Sequence, residues 1–330
     1  MTECGRLSRP STISRAFLLL AALSALSYGV TATDFTIGII KGPSGLGASW
    51  MLASPPEAAN WKIRFNLAAS ADLVVAKLVS GEIHGGILPV NLAAKLRNSG
   101  LDIGAAAVVG EGMVQFLTND PSIRSIGDLR GKDIHVGGQK ATPDYVFRTI
   151  ASKAGLEAGK DFNTIYNLAF PEIAAQLASG KIGSAVLPEP FATQSRLLSP
   201  FLRSPFDIGR LWTEATGQAS YPMTLLVLKR GFVESNPEAT VALLRSYSDS
   251  IAKTIADPAG TGILAERLDL GMKAQVASAS IPRSAYVYAS AVEAKSAIES
   301  LLSTFLAFEP ASIGGKLPDQ GFYLQPPSPR

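Results

Sequence analysis

The sequence predicts an α/β protein of two doubly wound lobes with a cleft between them, and three observations carry that prediction. The middle of the chain is an internal duplication, each copy alternates strand and helix with tight loops, and the strands are near-continuous apolar runs. Strands covered by helices on both faces have that composition.

The duplication pairs Ala76–Ala93 (AKLVSGEIHGGILPVNLA) with Ala175–Ala192 (AQLASGKIGSAVLPEPFA) at an offset of 99. Eight of eighteen positions are identical, where chance gives about one at ordinary residue frequencies. Upstream, Asn66-Leu67-Ala68 returns as Asn167-Leu168-Ala169.

Each copy reads in the same order. Phe35–Ile40 and Asp133–Gly137 are short β-rich runs, followed by the Gly-rich turns Gly42–Gly47 and Gly137–Thr142. Thr142 suits a helix N-cap, Pro143 the first helical position and Asp144 the positive end of the dipole. Strands follow at Ile63–Leu67 and Thr164–Leu168. Helices follow at Asp72–Ser80 and Ile173–Ser179, stopped by Gly81 and Gly180. Strands Ile83–Leu88 and Ile182–Leu187 close the two units.

In sheets of this kind a ligand sits beyond the carboxyl ends of the strands. Three loops per copy leave that edge: 43–47, 69–72 and 89–91 in the first, 138–142, 170–172 and 188–190 in the second. Two lobes facing each other by these edges make a cleft that can close on a small molecule. Two strands, Gly112–Thr118 and Ser220–Leu228, are the candidate crossings and hinges. The helical stretches Asn236–Ile255 and Val287–Phe308 are expected to pack on the first lobe. That lobe is then discontinuous, 33–117 with 224–330, and the second lobe is 118–223. The tail Gln325–Arg330 is Pro-rich and expected to be disordered.

The beginning of the chain reads as an address. Arg6, Arg9 and Arg15 precede an uncharged run of 17 residues, Ala16–Ala32, ending in Val30-Thr31-Ala32. A basic region, an apolar region and a small-x-Ala site predict a secretory signal covering 1–32. The one cysteine, Cys4, lies before the apolar run rather than after it, so no lipoprotein anchor is expected. Without residues 1–32 the formal charge falls from +3 to +1, with 27 basic against 26 acidic residues. Charged residues make up 17% of the chain and no basic cluster appears, which argues against a nucleic-acid partner. One cysteine and two histidines leave little for a metal site or a His-based triad, and no cofactor is expected.

Ser125–Gly137 (SIGDLRGKDIHVG) resembles a segment of extracytoplasmic solute-binding proteins that serve ABC importers. The branch is the one for nitrate, sulfonate, taurine and the thiamine pyrimidine precursor. The Leu-x-Ser-Gly-x-Ile…Leu-Pro-x-Pro pattern at 177–190 and Phe232–Leu244 (FVESNPEATVALL) fit the same family, and the resemblance covers about residues 34 to 310. It implies a type II periplasmic-binding-protein fold, a periplasmic monomer, a bound small molecule, and delivery to a permease with its ATPase.

Carried over by position, the resemblance implies ligand contacts from Ser44, Gly45 and Leu46, from Ala69 and Ser70, and from Pro89 and Asn91 in the first lobe. In the second it implies Gln139, Ala141 and Thr142, with Glu189 and Pro190, and Tyr221 at the second hinge. Backbone N–H groups at 44–48 and 140–145 suit an anionic or accepting group. Glu189 instead favours an amine or amidine, unless it only bonds backbone. Lys41 and Lys140 are the only basic residues in or adjoining the six loops, so the balance leans to a neutral or amine-bearing heterocycle. Trp50, Trp61 and Trp212 are more readily core residues than ring-stacking ones.

Catalytic signatures fail in detail. Leu46 stands where Gly-x-Ser-x-Gly needs its last glycine, Gly155–Lys160 is one residue short of a P-loop, and Gly45–Trp50 lacks the final glycine of a dinucleotide turn. His84 and His135 read as strand histidines. The protein is therefore expected to bind rather than catalyse. Two alternatives stand beside this: an enzyme on the same fold, as in pyrimidine-precursor or menaquinone pathways, and a protein presenting its ligand to a membrane receptor.

Overall fold

The computed structural model describes residues 1–2, 33–58 and 60–325. The signal expected over 1–32 lies, from residue 3 on, outside the described residues, as do Cys4 and 326–330 of the tail.

Eleven strands form two sheets among the described residues. They are β1 (Thr33–Ile40), β2 (Glu57–Ala58), β3 (Trp61–Ala68), β4 (Gly85–Pro89), β5 (Ile103–Glu111), β6 (Val114–Thr118), β7 (Asp133–Val136), β8 (Asn163–Ile165), β9 (Ser184–Pro188), β10 (Pro222–Lys229) and β11 (Ala289–Ser290). The large sheet runs β11-β5-β10-β4-β1-β3-β2 and the small one β6-β9-β7-β8. Each holds a parallel triad, β3-β1-β4 and β8-β7-β9, and the β4 or β9 side of each triad is flanked by an antiparallel strand, β10 or β6; the short β2 adds a second antiparallel strand beside β3. The 99-residue duplication is therefore a duplication of sheet topology, with β4 and β9 as equivalent strands.

The flanking strands enter after the chain changes sheet. β5 ends at Glu111 and passes through Gly112 and Met113 into β6. The helix Ile208–Thr216 passes through 217–221 into β10. The two crossings lie side by side: the Gly112 N–H donates to the Tyr221 carbonyl at 3.0 Å. Both Leu-Pro strand ends adjoin these crossings, since Pro89 pairs with Thr224 and Pro188 with Val114.

The strands are apolar because helices cover them. All of β9, most of β4 and β5 and half of β1 are buried. The crossover helices Ala71–Ser80 and Phe170–Ala178 stop at Gly81 and Gly180, which hold φ of 88° and 74°, a region that costs other residues about 1–2 kcal/mol. Pro237 opens the helix Pro237–Ala256, whose buried residues recur every three or four, from Ala239 through Leu243, Tyr247 and Ile251 to Thr254.

Several elements differ from expectation. The turn 42–47 contains a short helix, Pro43–Leu46. Thr142 is the first helical residue rather than the cap, which is Ala141. The strand expected at Thr164–Leu168 is Asn163–Ile165, and His84 precedes β4 instead of lying in it. The helix expected from Val287 starts at Lys295, because β11 takes up part of that stretch as an edge strand. That helix, Lys295–Phe308, also packs on more than the first lobe. It touches the helix Val90–Asn98 on one side and the helix Thr142–Lys153 on the other, with Tyr145 and Phe305 edge to face at 4.6 Å. An apolar stripe broad enough for two partners cannot be assigned to one of them from its period alone.

Candidate ligand-binding cleft

The six loops leave the carboxyl ends of the two parallel triads. The first-lobe loops follow β1, β3 and β4, and the second-lobe loops follow β7, β8 and β9. Helix Phe191–Leu198, after β9, packs against helix Ala274–Ser280, so the two halves meet on that flank as well.

In the first lobe, Ser44 is half-buried, while Gly45 and Leu46 are buried against their own half. A Cβ on Gly45 would approach the Ile40 carbonyl at 3.3 Å, and the Leu46 carbonyl accepts from Thr254 Oγ1 at 3.1 Å. The Tyr286 hydroxyl donates to the Pro43 carbonyl at 2.9 Å, fixing the start of this loop. Ala69 and Ser70 are exposed, Ser70 standing at the N-cap of Ala71–Ser80. Pro89 caps Val90–Asn98, and Asn91 is half-buried in that helix's first turn.

In the second lobe Gln139 is exposed, Ala141 half-buried and Thr142 buried. Phe170 lies directly on this turn: a Cβ on Gly137 would meet its ring at 2.1 Å. Phe170 also stacks on Phe191 with centroids 5.3 Å apart. Both rings are half-exposed, so the pair forms an apolar wall at the loop edge.

Glu189 is the most constrained residue of the set. It is 0% exposed, and its peptide bond to Pro190, also buried, is cis. Its N–H donates to the Met113 carbonyl at the first crossing at 2.8 Å. One carboxylate oxygen, Oε2, accepts the Thr193 N–H, a free donor in the first turn of the helix Phe191–Leu198, at 2.9 Å. The other, Oε1, is buried without a well-formed hydrogen bond, as is Thr193 Oγ1, whose hydroxyl nevertheless lies close enough to the carboxylate to pull its pKa down. Burial raises the carboxyl pKa, against the opposing pull of Thr193 and of Arg196 and Arg283 nearby. A buried charge left half-satisfied costs several kcal/mol unless something completes it.

Tyr221 sits at the second crossing, as expected, but is 0% exposed. Its hydroxyl accepts the Val114 N–H at 3.3 Å and its ring meets Trp212 edge to face. Glu189 and Tyr221 thus both sit at the crossings, with Tyr221 occupied in the hinge. Lys41 and Lys140 are both paired, with Asp269 and Glu309. Trp212 and Trp61 are buried, and Trp50 donates its indole N–H to Thr261 Oγ1 at 2.9 Å.

Residues that the sequence did not single out include Phe170, Phe191, Tyr286, Arg196 and Glu111. Glu111 closes β5 beside the crossing, and burial raises its pKa. Phe170 and Phe191 stand within or next to expected loops, but nothing in their spacing shows that the rings meet. Burial lowers the pKa of both histidines, and His84 Nδ1 accepts the Thr36 N–H at 3.1 Å. No group of three or more His, Cys, Asp or Glu among the described residues could hold a metal ion.

Two parallel triads with matching antiparallel strands, joined by paired crossings, define a type II periplasmic-binding-protein fold. The profile of the NMT1-like family matches residues 62–266, and the chain belongs to that family. This agrees with the resemblance carried by Ser125–Gly137. A comparison with curated proteins finds no match. Among solved structures, the chain is similar to an ABC transporter protein from Parabacteroides distasonis. Identity is 26% over 89% of this chain and 99% of that one, with a TM-score of 0.77. The periplasmic aliphatic sulphonate binding protein SsuA of Escherichia coli shares the fold at 18% identity, over 90% of this chain and 93% of that one, with a TM-score of 0.72. The periplasmic nitrate-binding protein NrtA of Synechocystis does so at 15%, over 74% and 69%, with a TM-score of 0.55.

Proposed function

We propose that the protein is the periplasmic substrate-binding component of an ABC importer, which captures a small molecule between its lobes and delivers it to the permease. The fold, the family and the ABC transporter relative support this reading. No helix of the described residues is long and apolar enough to cross a membrane. In this reading the lobes expected at 33–117 with 224–330 and at 118–223 divide instead at the crossings, 112–113 and 217–221, because β6 pairs with β9 of the small sheet and β10 with β4 of the large one. The protein acts as a monomer and performs no covalent chemistry.

The observation that carries the binding reading is Glu189 Oε1, buried without a well-formed hydrogen bond beside the hinge. A ligand N–H, from an amine, amidine or amino-heterocycle, completes it. Both lysines adjoining the loops are already paired, which disfavours a simple anion such as nitrate. The remaining contacts come from Ser44, Asn91, Gln139 and the loop backbones.

The test begins with mass spectrometry of whatever leaves the purified protein on denaturation, followed by thermal melts with pyrimidines, sulfonates, nitrate and flavins. A ligand at about a hundred times its Kd adds about 2.7 kcal/mol to stability. Absence of any shift across the screen would sink the reading, and consumption of the ligand would convert it to an enzyme. Glu189→Gln should weaken an amine ligand by about tenfold to a hundredfold, because a charged hydrogen bond contributes about 1.5–3 kcal/mol. A neutral ligand losing as much would make Glu189 structural.

A further inference from the structure

Among the described residues two non-glycine residues hold a positive φ, Lys140 at 60° and Asp269 at 52°. Such a conformation costs a residue with a Cβ about 1–2 kcal/mol and persists where its surroundings hold it. Each of the two is half of an ion pair, Lys140 with Glu309 and Asp269 with Lys41. Lys41 directly follows β1, and Lys140 lies in the turn after β7. β1 and β7 are the equivalent central strands of the two triads. The same loop in each lobe is therefore tied by a lysine to an acid from the last quarter of the chain.

The rest of each anchorage supports this. In the second lobe the Lys140 N–H donates to Asp144 Oδ2 at 2.9 Å, and Asp144 Oδ1 accepts from the Tyr166 hydroxyl at 2.8 Å. Glu309 ends the helix whose Phe308 lies under the Arg148 guanidinium, 4.4 Å from the ring centroid. The segment after it is held to the first lobe, where Asn98 Nδ2 donates to the Ile313 carbonyl at 2.6 Å and the Lys316 carbonyl at 2.7 Å. In the first lobe the Gly42 N–H donates to the Leu270 carbonyl at 2.8 Å, one residue beyond Asp269.

We infer that Glu309 and Asp269 are positioning residues for the two equivalent ligand loops, acting through Lys140 and Lys41, and that these lysines are anchors rather than ligand contacts. The inference rests on the binding reading for the loops' role, but the clamps themselves are measurable without any ligand. Glu309 reaches the second-lobe loop from a helix that also packs on the first lobe, so the loop's geometry depends on how the lobes sit together.

The test is amide hydrogen exchange of residues 138–142 in the unliganded mature protein. Glu309→Gln should speed exchange there by about twofold to fivefold, the range open to one partly exposed ion pair. Exchange in Pro237–Ala256 should not change. The double exchange Lys140→Glu with Glu309→Lys should restore the slow rate. High salt should speed the wild type and leave Glu309→Gln unaffected. Exchange unchanged by Glu309→Gln, or a double variant no better than its two parents, would overturn the clamp. With a ligand from the screen, Lys140→Met and Glu309→Gln should weaken binding equally; a much larger loss for Lys140→Met would make the lysine a ligand contact and overturn its role as an anchor. A protein that shows the exchange effects but binds no probe keeps the clamp and loses the binding reading.

Discussion

At the scale of a residue, Glu189 is the group on which the proposed binding reading turns. Its pKa is raised by burial, so the folded state holds its proton to a higher pH than the unfolded chain does. Between the ordinary carboxyl value and the raised one, the folded state binds more protons. Stability from this group is then greatest in acid and is lost as pH rises through the folded pKa. Glu189→Gln removes the charge and keeps an oxygen for the Thr193 N–H. We therefore expect the unliganded variant to melt higher than the wild type at pH 7, with the gap closing towards pH 4.5. Melts across that range check it, and a variant that melts lower at pH 7 would mean the carboxylate is satisfied in the fold. In the proposed reading, where Glu189 costs stability without ligand and supports binding with it, the residue follows the trade-off between stability and function.

At the scale of an element, what the sequence made legible was whatever is dictated locally. Gly81 and Gly180 mark helix ends because the left-handed conformation there excludes most other residues. The repeated Leu-Pro marks strand ends because proline withdraws a donor from the ladder. The Gly137 turn was legible for the same reason, but its partner was not. Phe170 is 33 residues away, and only the folding of β7 and the helix Phe170–Ala178 onto one sheet brings the ring over the glycine. The early start assigned to the helix Lys295–Phe308 has a similar origin, since the edge pairing of β11 with β5 is a tertiary event. Gly137→Ala should displace Phe170 from Phe191 and cost about 1–3 kcal/mol, as overpacking does. Gly127→Ala meets no atom closer than 3.6 Å and should change stability little. Urea denaturation of both separates the cases. Equal stabilities would mean that Phe170 moves aside freely and is no fixed wall of the cleft.

At the scale of the whole molecule, the paired crossings decide what motion is possible. The lobes are covalently joined at 112–113 and 217–221, and the Gly112–Tyr221 hydrogen bond makes these strands one unit. Rotation about that unit leaves both sheets intact, because β6 and β10 each pair within a single sheet. The helix Lys295–Phe308 opposes free rotation, since opening the cleft on its side must separate Tyr145 from Phe305 or carry the helix with one lobe. Closure on a ligand should therefore appear as a decrease in the radius of gyration by X-ray scattering, with no loss of secondary structure. Gly112 holds φ of 59°, and a Cβ there would meet Ser220 Oγ at 2.9 Å. Gly112→Ala strains this arrangement by about 1–2 kcal/mol. If the positive φ belongs to the closed form, the variant binds about fivefold to thirtyfold more weakly, and its scattering with ligand stays close to that without. An unchanged radius of gyration in the wild type on saturation with a ligand would exclude hinge closure, leaving a preformed pocket in which Glu189 and the loops receive the ligand without lobe motion.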